Sequence, residues 1–265
     1  MRYRKLYGDV VTASQVVCVT YVSELELFGL RSVSAGYELY SPTGQRSVVR
    51  ATGPAEVYID AGCVRIAFDT VYGRFAYELE APLAAPRANH QLLPDLDWQV
   101  LIAAGSARVH GLAQFPELSG EGYSDRVTMS RAPRNLELSE LRWGRGRVGS
   151  DHFVFTQARF KHAKSFELAV INGSDHDWLR IAPQPQTLQI QIDSHCFTLQ
   201  SERVIHAGSA LDSARFPNAA ERLLARALSG RIEERRVLAQ VRNGGAHTGL
   251  ALHEHVRFGV SGHWV

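Results

Sequence analysis

The chain has 265 residues, of which 45% are apolar and 21% charged, and its formal net charge is +2. This is a globular composition with enough core for one large domain or two ordinary ones, and the near-neutral balance leaves no basic footprint for nucleic acid. No apolar run approaches the roughly 18 residues that a membrane span needs.

The N-terminal segment MRYRKLYGDVVTAS is basic but has no apolar stretch behind it. No signal peptide is expected, and a cytoplasmic setting is the default. Val16 to Val22 is a β-branched run of strand length. Ala55–Asp60, Val64–Asp69 and Phe75–Glu80 alternate with period two, and Ala61-Gly62 sits where a hairpin turn belongs. A proline-rich stretch, Ala81 to Pro94, reads as a connection, because proline cannot donate to a strand ladder. Gln114 to Arg134, with Pro116, Gly120, Gly122 and Pro133, reads as irregular and as the divide between two sets of strands. Beyond it, Phe153–Phe155, Phe166–Ile171, Thr187–Ile192 and Cys196–Leu199 are strands, with turn chemistry at Asn172-Gly173-Ser174-Asp175. Only Ala219–Leu228 has a helical period.

Many short strands at near-regular spacing indicate an all-β barrel or sandwich. No internal repeat is visible in the residues. Cys18, Cys63 and Cys196 lie far apart, fit a reducing compartment and read as small buried hydrophobes. The chain lacks a GxGxxG, a P-loop, an HExxH and a GxSxG elbow, which disfavours nucleotide-dependent enzymes, zinc proteases and α/β-hydrolases. His253-Glu254-His255 puts two imidazoles on one strand face, with His247 or His263 as a third ligand for an ion. Core or exposed histidines are the commoner reading of such a pattern, and neither metal nor cofactor is expected.

The most informative segment runs from Leu118 to Gln157. Gly120-Glu121-Gly122-Tyr123-Ser124-Asp125 is followed by Leu141-Arg142-Trp143-Gly144-Arg145. Together they resemble the carotenoid 1,2-hydratase (hydroxyneurosporene synthase) family and the wider double-calycin group with AttH-like and kievitone hydratase-like members. Leu250-Ala251-Leu252-His253-Glu254 is similar to that group's closing strand. The resemblance implies two fused lipocalin-like (calycin) antiparallel β-barrels, to which the helical period at 219–228 adds a short helix near the C-terminus. Residues 1–118 would form the first barrel, and 119–265 the second, carrying both motifs. It also implies a pocket near Asp125 for a hydrophobic, isoprenoid- or polyketide-like small molecule.

In such hydratases the motif aspartate protonates a double bond and water captures the cation, which the π faces of Tyr123 and Trp143 would stabilise. The sequence departs from the pattern at Arg126-Val127-Thr128, where the family has His-Asn-Trp, and at Arg147, in place of a histidine. Arginines close to Asp125 favour its ionised form, which suits a base or an orienting group. On an extended strand Arg126 faces away from Asp125, leaving Arg145 and Arg147 as the relevant neighbours.

The expected catalytic group is therefore Asp125, Tyr123 and Arg145, with Trp143, Arg126, Arg147 and Glu254 against the substrate. The reaction expected is of hydratase/lyase or isomerase/cyclase type. Two alternatives stand beside it: a non-catalytic lipocalin-type binder of hydrophobic ligands, and a solid-packed structural protein in which Asp125 only fastens a loop. The sequence leaves substrate and oligomeric state open.

Overall fold

The structure, a computed structural model, describes residues 1–81, 88–93, 95–132, 135–162, 165–176, 178–184, 187–209, 231–244 and 247–259. It divides into two compact units, Met1–Arg131 and Ala132–Val265. The division falls after the Gly120–Asp125 segment, not before it as residues 118 and 119 suggested. Among the described residues there is no α-helix; the expected helix at 219–228 lies outside them.

In the first unit β1 (Arg2–Val11), β2 (Val17–Leu27), β3 (Leu30–Tyr40) and β4 (Arg46–Arg50) run outward from the centre of the sheet. β5 (Glu56–Asp60), β6 (Cys63–Thr70), β7 (Gly73–Glu80), β9 (Leu96–His110) and β10 (Glu117–Met129) return from the other edge, so that β10 pairs with β1. β8 (Ala88–Leu93) pairs with β9, and part of the stretch expected as a connection is thus a strand.

The second unit repeats this order. β11 (Leu138–Val148), β12 (Asp151–Phe160), β13 (Phe166–Ile171) and β14 (Ser174–His176) run outward. β15 (Leu179–Pro183), β16 (Thr187–Ile192), β17 (His195–Ser209), β18 (Ile232–Arg242) and β19 (Thr248–Phe258) return to pair with β11.

Both sheets must curl. Laid flat, nine strands about 4.8 Å apart would separate the edges by roughly 38 Å. The chain from β4 to β5 can span at most about 22 Å, and that from β14 to β15 at most about 11 Å. In the first unit Thr52 N–H also donates to the Asp69 carbonyl, 2.7 Å away, which ties the link to β6.

One face of each sheet packs an apolar core. In the first unit Tyr37, Phe68 and Phe75 stack at 4.6–4.7 Å among Leu39, Ile66 and Leu79. In the second, Phe153, Phe155 and Phe197 pack with Ile190 and Leu199. Cys18 belongs to the first core, where burial pushes its thiol far up, but Cys196 is exposed, against expectation.

The irregular region expected at 114–134 is largely the central strand β10. Its glycines are seats rather than breakers. A Cβ on Gly122 would lie 2.5 Å from Ala107 Cβ, and one on Gly120 would lie 2.3 Å from the Val11 carbonyl oxygen. Neither neighbour is a flexible side-chain end, so the backbone approach itself demands glycine.

Candidate active site

Alternation along β1 and β10 sorts the first sheet into two faces. Leu6 and Val10 point into the core, whereas Tyr7 and Asp9 point to the other face. The ladder sets Tyr7 opposite Asp125 and Asp9 opposite Tyr123. Continuing across β2 and β3, Asp9 aligns with Val19 and Glu38. This second face is also buried, and it carries three acids: Asp9 is 0%, Glu38 2% and Asp125 6% exposed. Asp125 therefore does not face the interior of the first sheet. That interior holds the stacked aromatic core, and Asp125 is on the side away from it.

The Asp125 carboxyl is held from two sides. Trp98 Nε1–H donates to Oδ2 at 2.9 Å, and the Tyr123 hydroxyl donates to the same oxygen at 2.9 Å. Neither donor carries a charge, so together they orient the carboxyl without a countercharge of their own. Tyr123 is 0% exposed, and its ring meets Tyr7 edge-on at 6.2 Å. The Tyr77 hydroxyl reaches through from the core to donate to the Tyr123 and Asp9 carbonyls, at 3.0 and 3.1 Å. Ser124 Oγ donates to the Tyr7 carbonyl at 2.7 Å. A register shift against β9 at Gly122–Asp125 re-aims the strand here, as bulges do beside functional groups. Glu38 accepts from the Tyr40 hydroxyl and pairs with Arg46 at 3.2 Å.

Arg126 lies on the opposite side of β10, exposed, with its guanidinium on Gln99 Oε1 at 2.5 Å. The structure does not bring it to Asp125.

The remaining expected residues belong to the second unit. Trp143-Gly144-Arg145-Gly146-Arg147 alternates cleanly. Gly144 and Gly146 lie under the Phe155 and Phe153 rings, where a Cβ would come within 2.6 Å of ring carbons. Trp143 and Arg145 point to the other face and are buried, at 6% and 5% exposure. Glu254 stands opposite Trp143 and accepts from Arg236 Nε at 2.5 Å; Arg236 also pairs with Glu234 at 2.8 Å. Arg147 is exposed and donates to the Gly149 carbonyl at 2.9 Å, which fastens the β11–β12 hairpin.

Sequence reasoning missed Trp98, Tyr7, Asp9 and Glu38. Their one signal was an acid or an indole within an alternating strand, as in Tyr7-Gly8-Asp9-Val10-Val11. Among the described residues, no group of three side chains is placed to hold a metal. His255 Nε2 pairs instead with Glu140 at 2.6 Å, and His263 lies outside the described residues. Two concavities lie elsewhere: about 610 Å³ beside Tyr58, Cys63, Arg65 and Glu80, and about 230 Å³ beside Tyr37, Val49, Tyr72 and Gln114.

No protein-family model and no curated protein matches the sequence. Solved structures do match it. CghA, in its crystal structure with Sch210972, is 12% identical with a TM-score of 0.68, over 99% of this chain and 89% of that one. An AttH-like protein from Nitrosomonas europaea is 10% identical with a TM-score of 0.62, over 96% and 91%. Kievitone hydratase from Nectria haematococca is 11% identical with a TM-score of 0.58, over 97% and 89%. The chain thus has the fold of these double-calycin, AttH-like proteins, the group that its GYSD and WGR segments resemble.

Proposed function

We propose that the chain is a cofactor-independent enzyme of hydratase/lyase or isomerase/cyclase type, acting on a hydrophobic small molecule with Asp125 as its acid or base. The observation that carries this reading is a buried carboxyl fixed by two uncharged aromatic donors, Trp98 and Tyr123. Tyr7 stands opposite on the neighbouring strand, its ring edge-on to that of Tyr123. Such a carboxyl can give its proton to an alkene carbon, or take one from carbon beside a carbonyl. The rings then pack the apolar substrate and stabilise developing positive charge. Similarity in fold to a kievitone hydratase is consistent with this chemistry and does not name the substrate.

The test is incubation with a panel of polyisoprenoid and polyketide alkenes in D2O, read by mass spectrometry. The expected result is addition of D2O, or uptake of deuterium at carbon, for at least one member. Asp125→Asn should lower that rate at least about a hundredfold, the low end of general acid–base contributions. An Asp125→Asn rate equal to wild type ends the assignment. Tight binding of a panel member without turnover turns the reading to a ligand carrier.

A further inference from the structure

The second unit holds a separate polar group on the core-facing side of its sheet. His253 follows the inward row of Ala251 and stands opposite Gly144 and Val237, while His255 stands opposite Arg142 and Arg235. Opposite residues of an antiparallel ladder share a face, so these four polar side chains are neighbours on the inner surface. They are on the other face from Trp143 and Glu254.

His253 is seated over the glycine: a Cβ on Gly144 would come within 2.7 Å of its Cβ and 2.6 Å of the Phe155 ring. Its Nε2 is buried and has no hydrogen-bond partner among the described residues. Arg235 is half-buried, and it has no ion pair or hydrogen bond among the described residues. The acids nearby each have a partner, although Glu233 Oε2 is buried without a hydrogen bond among the described residues. Glu140 accepts from Arg142 at 2.7 Å, from His255 at 2.6 Å and from Arg159 at 3.2 Å. Glu167 accepts from Gln157 at 2.7 Å, and Glu233 pairs with Arg231 at 3.1 Å.

His253 Nε2 and the Arg235 guanidinium are therefore two donors close together on this face without a described hydrogen-bond or ion-pair partner. A buried polar atom without a partner is destabilising, and a fitting ligand atom relieves that cost. Burial, together with the cations Arg235, His255 and Arg142, holds His253 down at about 4, so the ring is neutral near pH 7 and sits in a positive potential. An imidazole N–H beside an uncommitted guanidinium is a donor set for an oxyanion.

We propose that His253 and Arg235 are the donors of a small-oxyanion site on the inner face of the second sheet, taking a phosphate or carboxylate group. It is independent of the Asp125 reading. Calorimetric titration of the full chain with sodium phosphate and, separately, sodium acetate, at constant ionic strength near neutral pH, tests it. At least one anion should bind saturably; phosphate alone assigns a phosphoryl ligand, and acetate alone a carboxylate. Arg235→Gln should weaken binding about tenfold or more, a change of about 1.4 kcal/mol. His253→Gln should do likewise, whereas Arg108→Gln on the first unit should bind as wild type. No saturable binding of either anion overturns the proposal, as does wild-type affinity in Arg235→Gln or in a folded His253→Gln.

Discussion

The two units place related side chains at matching points and use them differently. Tyr7-Gly8-Asp9 in the first strand of one unit corresponds to Trp143-Gly144-Arg145 in the first strand of the other. Each glycine lies under a ring, Tyr77 in one case and Phe155 in the other. Each aromatic faces an acid on the unit's closing strand, Asp125 or Glu254. The partners differ. Asp125 receives an indole N–H and a phenol O–H, whereas Glu254 receives the Arg236 guanidinium. Of the contacts described, those on Asp125 come from neutral donors and that on Glu254 from a guanidinium, the kind of partner that favours a carboxylate's ionised form. One ladder position thus carries an acid in both units, with different donors around it.

The sharpest way to break this contrast is to remove each carboxylate's partner and follow denaturant unfolding. Arg236→Gln removes a buried cation from between Glu234 and Glu254 and should cost about 3–5 kcal/mol. Trp98→Phe removes one neutral donor and should cost only about 1–2 kcal/mol, while lowering any Asp125-dependent rate. Equal losses would show that Asp125 is an anchor too.

A further asymmetry is expected in acid. Glu140 is held down at about 2, first by its hydrogen bond from His255 and then by Arg142, against the cost of burial. Because its folded value lies below the unfolded one, the stabilisation is present above about 4.5 and is lost as pH falls toward 2. Glu140→Gln should therefore destabilise by about 2–3 kcal/mol at neutral pH, and the gap should close in that window. A pH-independent difference would trace the loss to packing.

A last contrast is expected at the seats. Gly144→Ala meets the Phe155 ring at 2.6 Å and should cost about 1–3 kcal/mol. Gly8→Ala meets the Tyr77 ring at 2.8 Å and should cost somewhat less. The reverse order in thermal melts would mean that the first ring is the less able to move.

Strands such as Val64–Asp69 and Thr187–Ile192 were legible because one face is core and the other solvent, which writes period two into the residues. β10 was not, since residues 122–125 are buried on both faces and close packing demands Gly120 and Gly122, which read as breakers. Within the site, Tyr123 and Asp125 stood out through a motif, and Arg126 was correctly expected to face away from Asp125. Trp98 and Tyr7 were invisible because their partnership depends on ladder register between strands distant in the chain.

That register has a consequence for biogenesis. Ser124 and Tyr7, bonded to each other, are separated by 117 positions in the chain. As the polypeptide leaves the ribosome, β10 finds β9 directly, but β1 must wait with one edge open until nearly the whole first unit has been made. Loop closure over that length is entropically costly, and topologies of this kind fold in milliseconds to seconds rather than microseconds. The carboxyl at Asp125 meets Tyr7 only when that ladder zips, so a nascent or truncated first unit lacks the assembled cluster even where every earlier hairpin has formed.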